Sequence, residues 1–435
     1  MEHGLDTEAV AVVAACVVLW GLVSSRLGRW NITAPMAFVA LGLICTSGLV
    51  SLVDIGVHSS TVREIAEVTL ALVLFGDASR IDLKALRSDG HVPLRLLGIG
   101  LPLTIALGTL VALLVSDGDL WIAALISAAV APTDAALGAS IMEDVRVPLR
   151  VRRDLNVESG LNDGIATPFV TFFIAGAAAA TEVADSEGAG GAAVELAIGV
   201  GVGAAIGLLG GHLVRVARAR GWGAAAFFPS AVLGLALLSY SAAIEAGGNG
   251  FVAAFIGGMA FGTAKAGDNA TLLSFNDKSG ELLSLLVWFL FGATMIGPAF
   301  EYVEAKDVAF VVLALTVVRM VPVALSLIGT DLDRVTVAFV GWFGPRGLAS
   351  VVFALIAVDG LEPDEGNRVL AVITLTIVFS VVAHGLTSSP LAARYGAHAA
   401  RLDSQQPEHA PVQAVRTRAF AGTPGTSTRA EAPSP

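Results

Sequence analysis

Glu158-Ser-Gly-Leu-Asn-Asp-Gly164 sets two carboxylates, a hydroxyl and an amide inside a stretch otherwise written in membrane-apolar residues. With a helical advance of about 100° per residue, Ser159 falls one turn beneath Asp163 and Glu158 one turn beneath Asn162, so all four share one face. The apolar stretch begins near Asp154, which puts Asp163 ~13 Å into a hydrocarbon core ~30 Å thick. A carboxylate at that depth costs at least ~2.5–3.5 kcal/mol on insertion scales, so the four groups point to function and away from a polar staple between helices. The chemistry open to them is cation coordination through oxygen, coupled to proton exchange at a carboxylate. Oxygen ligands suit hard monovalent cations, and no His/Cys cluster invites a transition metal. A proton and a cation competing for one carboxylate, with alternating access, suffice for antiport.

Two more segments carry polar residues at membrane depth. One reads Ala131-Pro132-Thr133-Asp134, the other Phe343-Gly344-Pro345-Arg346-Gly347. Pro132 lies thirteen residues after Asp119, and Pro345 twelve after Asp333. The spans holding them run in opposite directions, as an inverted repeat requires, and interrupted helices in matching positions mark a transporter's binding site. Each proline removes a helical hydrogen bond and clashes with the carbonyl four residues back. Gly344 and Gly347 loosen the second break. Arg346 needs an anion, because a guanidinium stays charged. Glu158 is the expected partner, with Asp163 and Asp134 reserved for the transported ion. Arg319 is a further buried cation whose partner stays open among Asp134, Glu158 and a helix C-terminus. Asp77 is read as an interfacial residue, not a ligand, and His384 as a boundary residue, not a proton relay.

The elements that must position these groups are membrane helices. Of the 435 residues, 55% are hydrophobic and 14% charged, against roughly a quarter charged in soluble domains. Mean hydropathy is +0.77, which defines an all-α polytopic membrane protein. The net charge of −11 argues against a nucleic-acid partner. Cys16 and Cys45 lie in apolar spans and are expected as reduced thiols. Thirteen spans parse at 8–25, 31–53, 62–79, 93–116, 119–142, 154–180, 192–217, 224–245, 248–264, 270–297, 306–329, 333–358 and 366–389. Basic loops follow the odd-numbered spans (Arg26/Arg29, Arg80/Lys84/Arg87/Arg95, Arg146 to Arg153, Arg215 to Arg220, Lys265/Lys278), and acidic or neutral loops alternate with them. The positive-inside rule then puts the N-terminus outside and the C-terminus in the cytoplasm. An acidic leader without a basic n-region makes a cleaved signal peptide an unfavoured reading. Residues 1–389 form the expected transmembrane domain. Residues 390–435, rich in Ala, Pro, Gly, Ser and Thr, are expected as a disordered cytoplasmic tail. Gly199, Gly203, Gly207 and Gly211 make a smooth face, expected to serve internal helix packing.

At Ala131 to Asp134, Glu158 to Gly164 and Gly344 to Gly347, the chain resembles the Na+/H+ exchanger family of monovalent cation/proton antiporters, in its prokaryotic branch. The resemblance spans essentially all thirteen segments. It implies an inverted-repeat bundle in which two unwound helices cross near an Asp, and a mobile core that moves against a dimerisation domain. Carried over, it makes Asp163 the cation- and proton-binding carboxylate, with Asn162 beside it. Ser159 and Thr133 become oxygen ligands of Na+, Asp134 a further acidic contribution, and Glu158 with Arg346 a structural pair. One departure is plain: the family commonly has Pro after Thr-Asp, where this chain has Ala135. The expected function is electroneutral one-for-one exchange of Na+, or of Li+ or K+, for H+ at the inner membrane, by a homodimer in the lipid bilayer without cofactors. A K+-selective exchanger is the near alternative. A non-transporting sensor and an intramembrane hydrolase using Asp134 and Asp163 as an acid/base pair are the remote ones.

Overall fold

Helix occupies each apolar segment named above, and no strand occurs among the described residues. The computed structural model describes residues 7–46, 59–81, 86, 91–115, 119–180, 188–264 and 269–412. Lys84, Arg87, Lys265, residues 47–53 of the second span and the tail beyond 412 lie outside these residues.

The chain runs as α1 (Thr7–Gly28), α2 (Ala34–Thr46), α3 (Ser60–Ser79), α4 (His91–Val115), α5 (Leu120–Val130), α6 (Leu149–Ala180) and α7 (Gly188–Ala219). Next come α8 (Phe228–Glu245), α9 (Gly250–Thr263), α10 (Ser274–Tyr302), α11 (Ala305–Ser326), α12 (Arg334–Trp342), α13 (Leu348–Gly360) and α14 (Pro363–Ala399). Eight of these are long and apolar enough to cross a membrane, by length and composition. α5 and α13 fall short because each belongs to a segment interrupted by an unwound stretch, the feature expected from Pro132 and Pro345.

Small residues bring helices into close contact where the sequence predicts. Gly199 and Gly203 of α7 face α9, and a Cβ there would stand 2.6 Å from the Asn249 oxygen and 2.8 Å from Ala253 Cα respectively. The glycine stripe thus serves internal packing. Most buried apolar side chains form one core, while a second cluster sits at one end of the bundle. That second cluster joins Leu96 of α4, Val151 and Leu155 of α6, Val323 of α11, Phe339 of α12 and Tyr395 of α14.

The expected tail boundary is corrected here. α14 continues through Pro390 to Ala399. Proline's local cost is overridden by packing: Tyr395 stacks on Phe339 with ring centroids 4.1 Å apart, and its hydroxyl is 3.0 Å from that of Thr336. Beyond the helix, buried Glu408 accepts the Asp333 N–H at 2.8 Å, so residues up to 409 fold back against the start of α12.

Candidate functional site

Both broken segments begin alike. Asp119 starts α5 by accepting the Trp121 N–H at 2.6 Å, and Asp333 starts α12 by accepting that of Val335 at 2.8 Å. These are N-caps, each satisfying a backbone donor that the first turn leaves unpaired. α5 ends at Val130 and α12 at Trp342, after which the chain unwinds over 131–138 and 343–347. The two unwound stretches are joined directly, Asp134 N–H donating to the Pro345 oxygen at 2.7 Å.

Their side chains are exchanged across the crossing. Asp134 Oδ1 accepts from the amides of Ala136 and Leu137, at 2.7 and 3.0 Å. Its Oδ2 accepts at 2.9 Å from Leu348 N–H, the first helical residue of α13. In return the Arg346 guanidinium donates to the Ala131 oxygen and, at 3.2 Å, to that of Pro132, just past the end of α5. A helix start is electropositive and a helix end electronegative. Asp134 therefore answers the start of α13, and Arg346 the end of α5. Close approach explains two glycines: a Cβ at Gly344 would stand 2.7 Å from Arg319 Nε, and one at Gly347 would overlap the Asp134 side chain.

α6 supplies the remaining polar groups. Asp163 is the fifteenth of its thirty-two residues. Ser159 Oγ and Thr133 Oγ1 lie 2.9 Å apart, and Asn162 Nδ2 donates to Thr133 Oγ1 at 2.6 Å. Asn162 Oδ1 is buried with no protein hydrogen-bond partner. The expected Glu158–Arg346 pair is corrected: Glu158 Oε1 lies 2.6 Å from Arg319 NH1, both side chains almost fully buried. The reason is geometric. Arg346 is turned to the carbonyls of the first break, which leaves Arg319 of α11 as the cation facing α6.

A cavity of about 20 Å³, room for roughly one water-sized occupant, is lined by Asp163, Ser159, Asp134, Asp77, Ser284 and Trp288, among others. Asp77 was expected as an interfacial residue. Instead α3 brings it to the cavity across Gly160, where a Cβ would stand 3.7 Å from Asp77 Cβ. The available signal was the default that an intramembrane carboxylate is functional. Nothing in the sequence pointed to Ser284 or Trp288. Thr133 and Asn162 stand behind Ser159 in the hydrogen-bonded row, and neither lines this cavity.

A wider cavity of about 400 Å³ shares Ala136 with the small one and is lined by Trp20, Ser24, Ser140, Asp144 and Ser388 among others. At its rim, hydrogen bonds from the Arg146 side chain hold the Asp144 carboxyl below its ordinary value of 3.8. Ala136 of the first break thus lies on the walls of both cavities.

Residues 12–394 match the family described as sodium/hydrogen exchanger, transmembrane. The K(+)/H(+) antiporter NhaP of Alkalimonas amylolytica is 24% identical over 392 residues, covering 89% of this chain and 66% of that protein. The chain thus spans just under two thirds of that curated relative's length. Among solved structures, the sodium proton antiporter MjNhaP1 from Methanocaldococcus jannaschii at pH 8 gives a TM-score of 0.71 at 20% identity, covering 88% of this chain and 100% of that one. An electron-microscopy structure of the same antiporter gives 0.71 at 19% identity, covering 91% and 98%. At these identities the likeness is one of fold, an all-helical bundle shared over nearly the whole chain.

Proposed function

The chain belongs to the sodium/hydrogen exchanger family, and from that premise we propose that it exchanges a monovalent cation for H+ across the cell membrane. Asp163 binds cation and proton in competition, and alternating access carries each across. The observation that carries this reading is the ion-sized cavity in which Asp163, near the middle of α6, meets Ser159 and the first break. Ser159 and Asp77 are the oxygen ligands this geometry favours. Thr133 and Asn162 act through the hydrogen bonds that orient Ser159. Asp134 contributes by shaping the crossing, since both its oxygens hold backbone amides. That commitment also weighs against an acid/base pairing of Asp134 with Asp163 in hydrolysis.

Na+ is the assigned cargo, with Li+ as a further substrate. The K+-selective reading is kept because a relative is named a K(+)/H(+) antiporter. Exchange is electroneutral if Asp163 alone changes its proton between strokes, and Asp77 is the group that would add a second. Thirteen crossings, an outside N-terminus, a cytoplasmic C-terminus and a homodimer in the inner membrane complete the proposal. Proteoliposomes holding a trapped pH dye test it, with Na+, Li+ and K+ run in parallel. Dye dequenching with at least one cation, indifferent to a valinomycin-imposed potential in the Na+ arm, is expected. Silence with all three rejects the reading. Each charge moved feels ~2.3 kcal/mol per 100 mV, so a voltage response would reject one-for-one exchange and implicate Asp77.

A further inference from the structure

The second break is gripped from behind by one face of α14, at residues that do not line the cation cavity. Ser380, His384 and Thr387 follow each other at helical spacing on that face. The Ser380 hydroxyl oxygen accepts the Arg346 N–H at 2.7 Å. His384 Nε2 lies 2.9 Å from the carbonyl oxygen of Trp342, whose indole N–H donates to the Thr387 hydroxyl at 3.0 Å. Trp342 closes α12 and Arg346 is the fourth of the five unwound residues, so α14 holds the stretch at both ends. Ser380 and His384 are 0% and 4% exposed, which leaves little room for water to replace these bonds.

Both ring nitrogens face acceptors. A carbonyl oxygen only accepts, so Nε2 carries a hydrogen directed at Trp342. Nδ1 lies 3.1 Å from Ser380 Oγ and 2.8 Å from the Ser380 carbonyl oxygen, which fits a donor at Nδ1 equally well. The hold on the second break needs only the Nε2 hydrogen.

We propose that His384, donating from Nε2, acts with Ser380 as a positioning clamp on the second break. The clamp fixes the backbone so that Arg346 reaches the end of α5 and Leu348 N–H reaches Asp134. Its kinetic consequence rests on the exchange reading above; its hydrogen-bond chemistry does not.

Glutamine and asparagine separate the two arms. The amide of His384→Gln can place a donor near Nε2, whereas that of His384→Asn reaches only the Nδ1 position. Full-length variants are assayed in proteoliposomes for cation-driven H+ movement, and in detergent for Tm. His384→Asn and Ser380→Ala should raise the Na+ concentration for half-maximal exchange about fivefold, the worth of one hydrogen bond, with His384→Gln within about twofold of wild type. Ser380→Ala and His384→Asn each orphan a buried backbone group and should lower Tm by a few degrees, with His384→Gln close to wild type. The ¹⁵N spectrum of histidine-labelled wild-type protein should show one buried ring protonated at Nε2, and Ser380→Ala should expose the Arg346 amide to hydrogen exchange. A fall in Tm with unchanged half-saturation would reduce these residues to packing. Equal behaviour of the Gln and Asn variants, or a ring without a proton on Nε2, would overturn the clamp. If wild-type protein moves no protons, the exchange reading fails alone, because the ¹⁵N spectrum and the Arg346 amide still decide the clamp.

Discussion

The two breaks begin with the same N-cap and diverge in everything after it. The first spans 131–138, turns its own Ala136 and Leu137 amides onto Asp134, and places Ala136 on the walls of both cavities. The second spans 343–347, carries Arg346 and two glycines that admit neighbouring side chains, and is held from behind by α14. Backbone symmetry thus supports a division of labour. One break lines the proposed cation cavity, and the other is the frame that holds it. Each also lends its charge to the other's helix end, so the crossing compensates itself. On the proposed reading, the choice of cargo falls to α6 and to Asp77 of α3.

The largest effect should come where the frame meets α6. Breaking the buried Glu158–Arg319 pair from either side leaves one desolvated charge, at roughly 3–5 kcal/mol. Single alanine variants should both lose that stability in thermal or denaturant unfolding, and the double variant should recover part of it. Coupling between Glu158 and Arg319 should exceed that between Glu158 and Arg346. The reverse ranking would restore the pairing expected from sequence.

Next in size is the exchange of charge between the breaks. Arg346→Ala orphans the carbonyls of Ala131 and Pro132, at about 1–3 kcal/mol for each buried acceptor left unpaired. Arg346→Lys should recover only part, since an ammonium lacks the planar fork. Full recovery in unfolding experiments would mean that charge alone suffices, and the geometric account of the second break would fall.

These contrasts also mark what the sequence could tell. Pro132, Pro345 and the polar face of α6 marked the crossing and the cavity beside it, because helix breaking and phasing are local properties. Asp119 and Asp333 marked matching starts for the same reason. The partner of Glu158 was not legible: Arg319 and Arg346 are both buried cations, and only the turn of Arg346 toward α5 separates them. The place of Asp77 on the cavity wall was missed because it depends on where α3 crosses α6. The end of α14 was misjudged because proline's cost is local, whereas the stacking of Tyr395 on Phe339 joins residues distant in sequence.

A smaller effect tests the shared start. Asp119→Ala and Asp333→Ala each remove an N-cap, worth about 1 kcal/mol. Asp333 should cost more, because His398 and the Glu408 segment also gather there. Equal losses in unfolding would show that the folded-back segment adds nothing to the frame.

The smallest expected effect lies on the wall of the wider cavity beside the first break. Asp144 has a depressed folded-state pKa, so its stabilisation is present above the ordinary value of 3.8 and lost as pH falls through the lower folded value. Arg146 is half-exposed, so Asp144→Asn should cost under ~1 kcal/mol at neutral pH. The gap between wild type and variant should close on acidification below that range. A gap that widens there would reverse the assigned sign.

The central claim is that one carboxylate on α6 carries cation and proton in turn. Its most direct test is Asp163→Asn, purified and reconstituted beside wild type, with Na+- and K+-driven H+ movement followed by a trapped pH dye. The account predicts a protein that inserts and purifies normally and exchanges nothing. Wild-type rates from that variant would contradict it and move the search to Asp77.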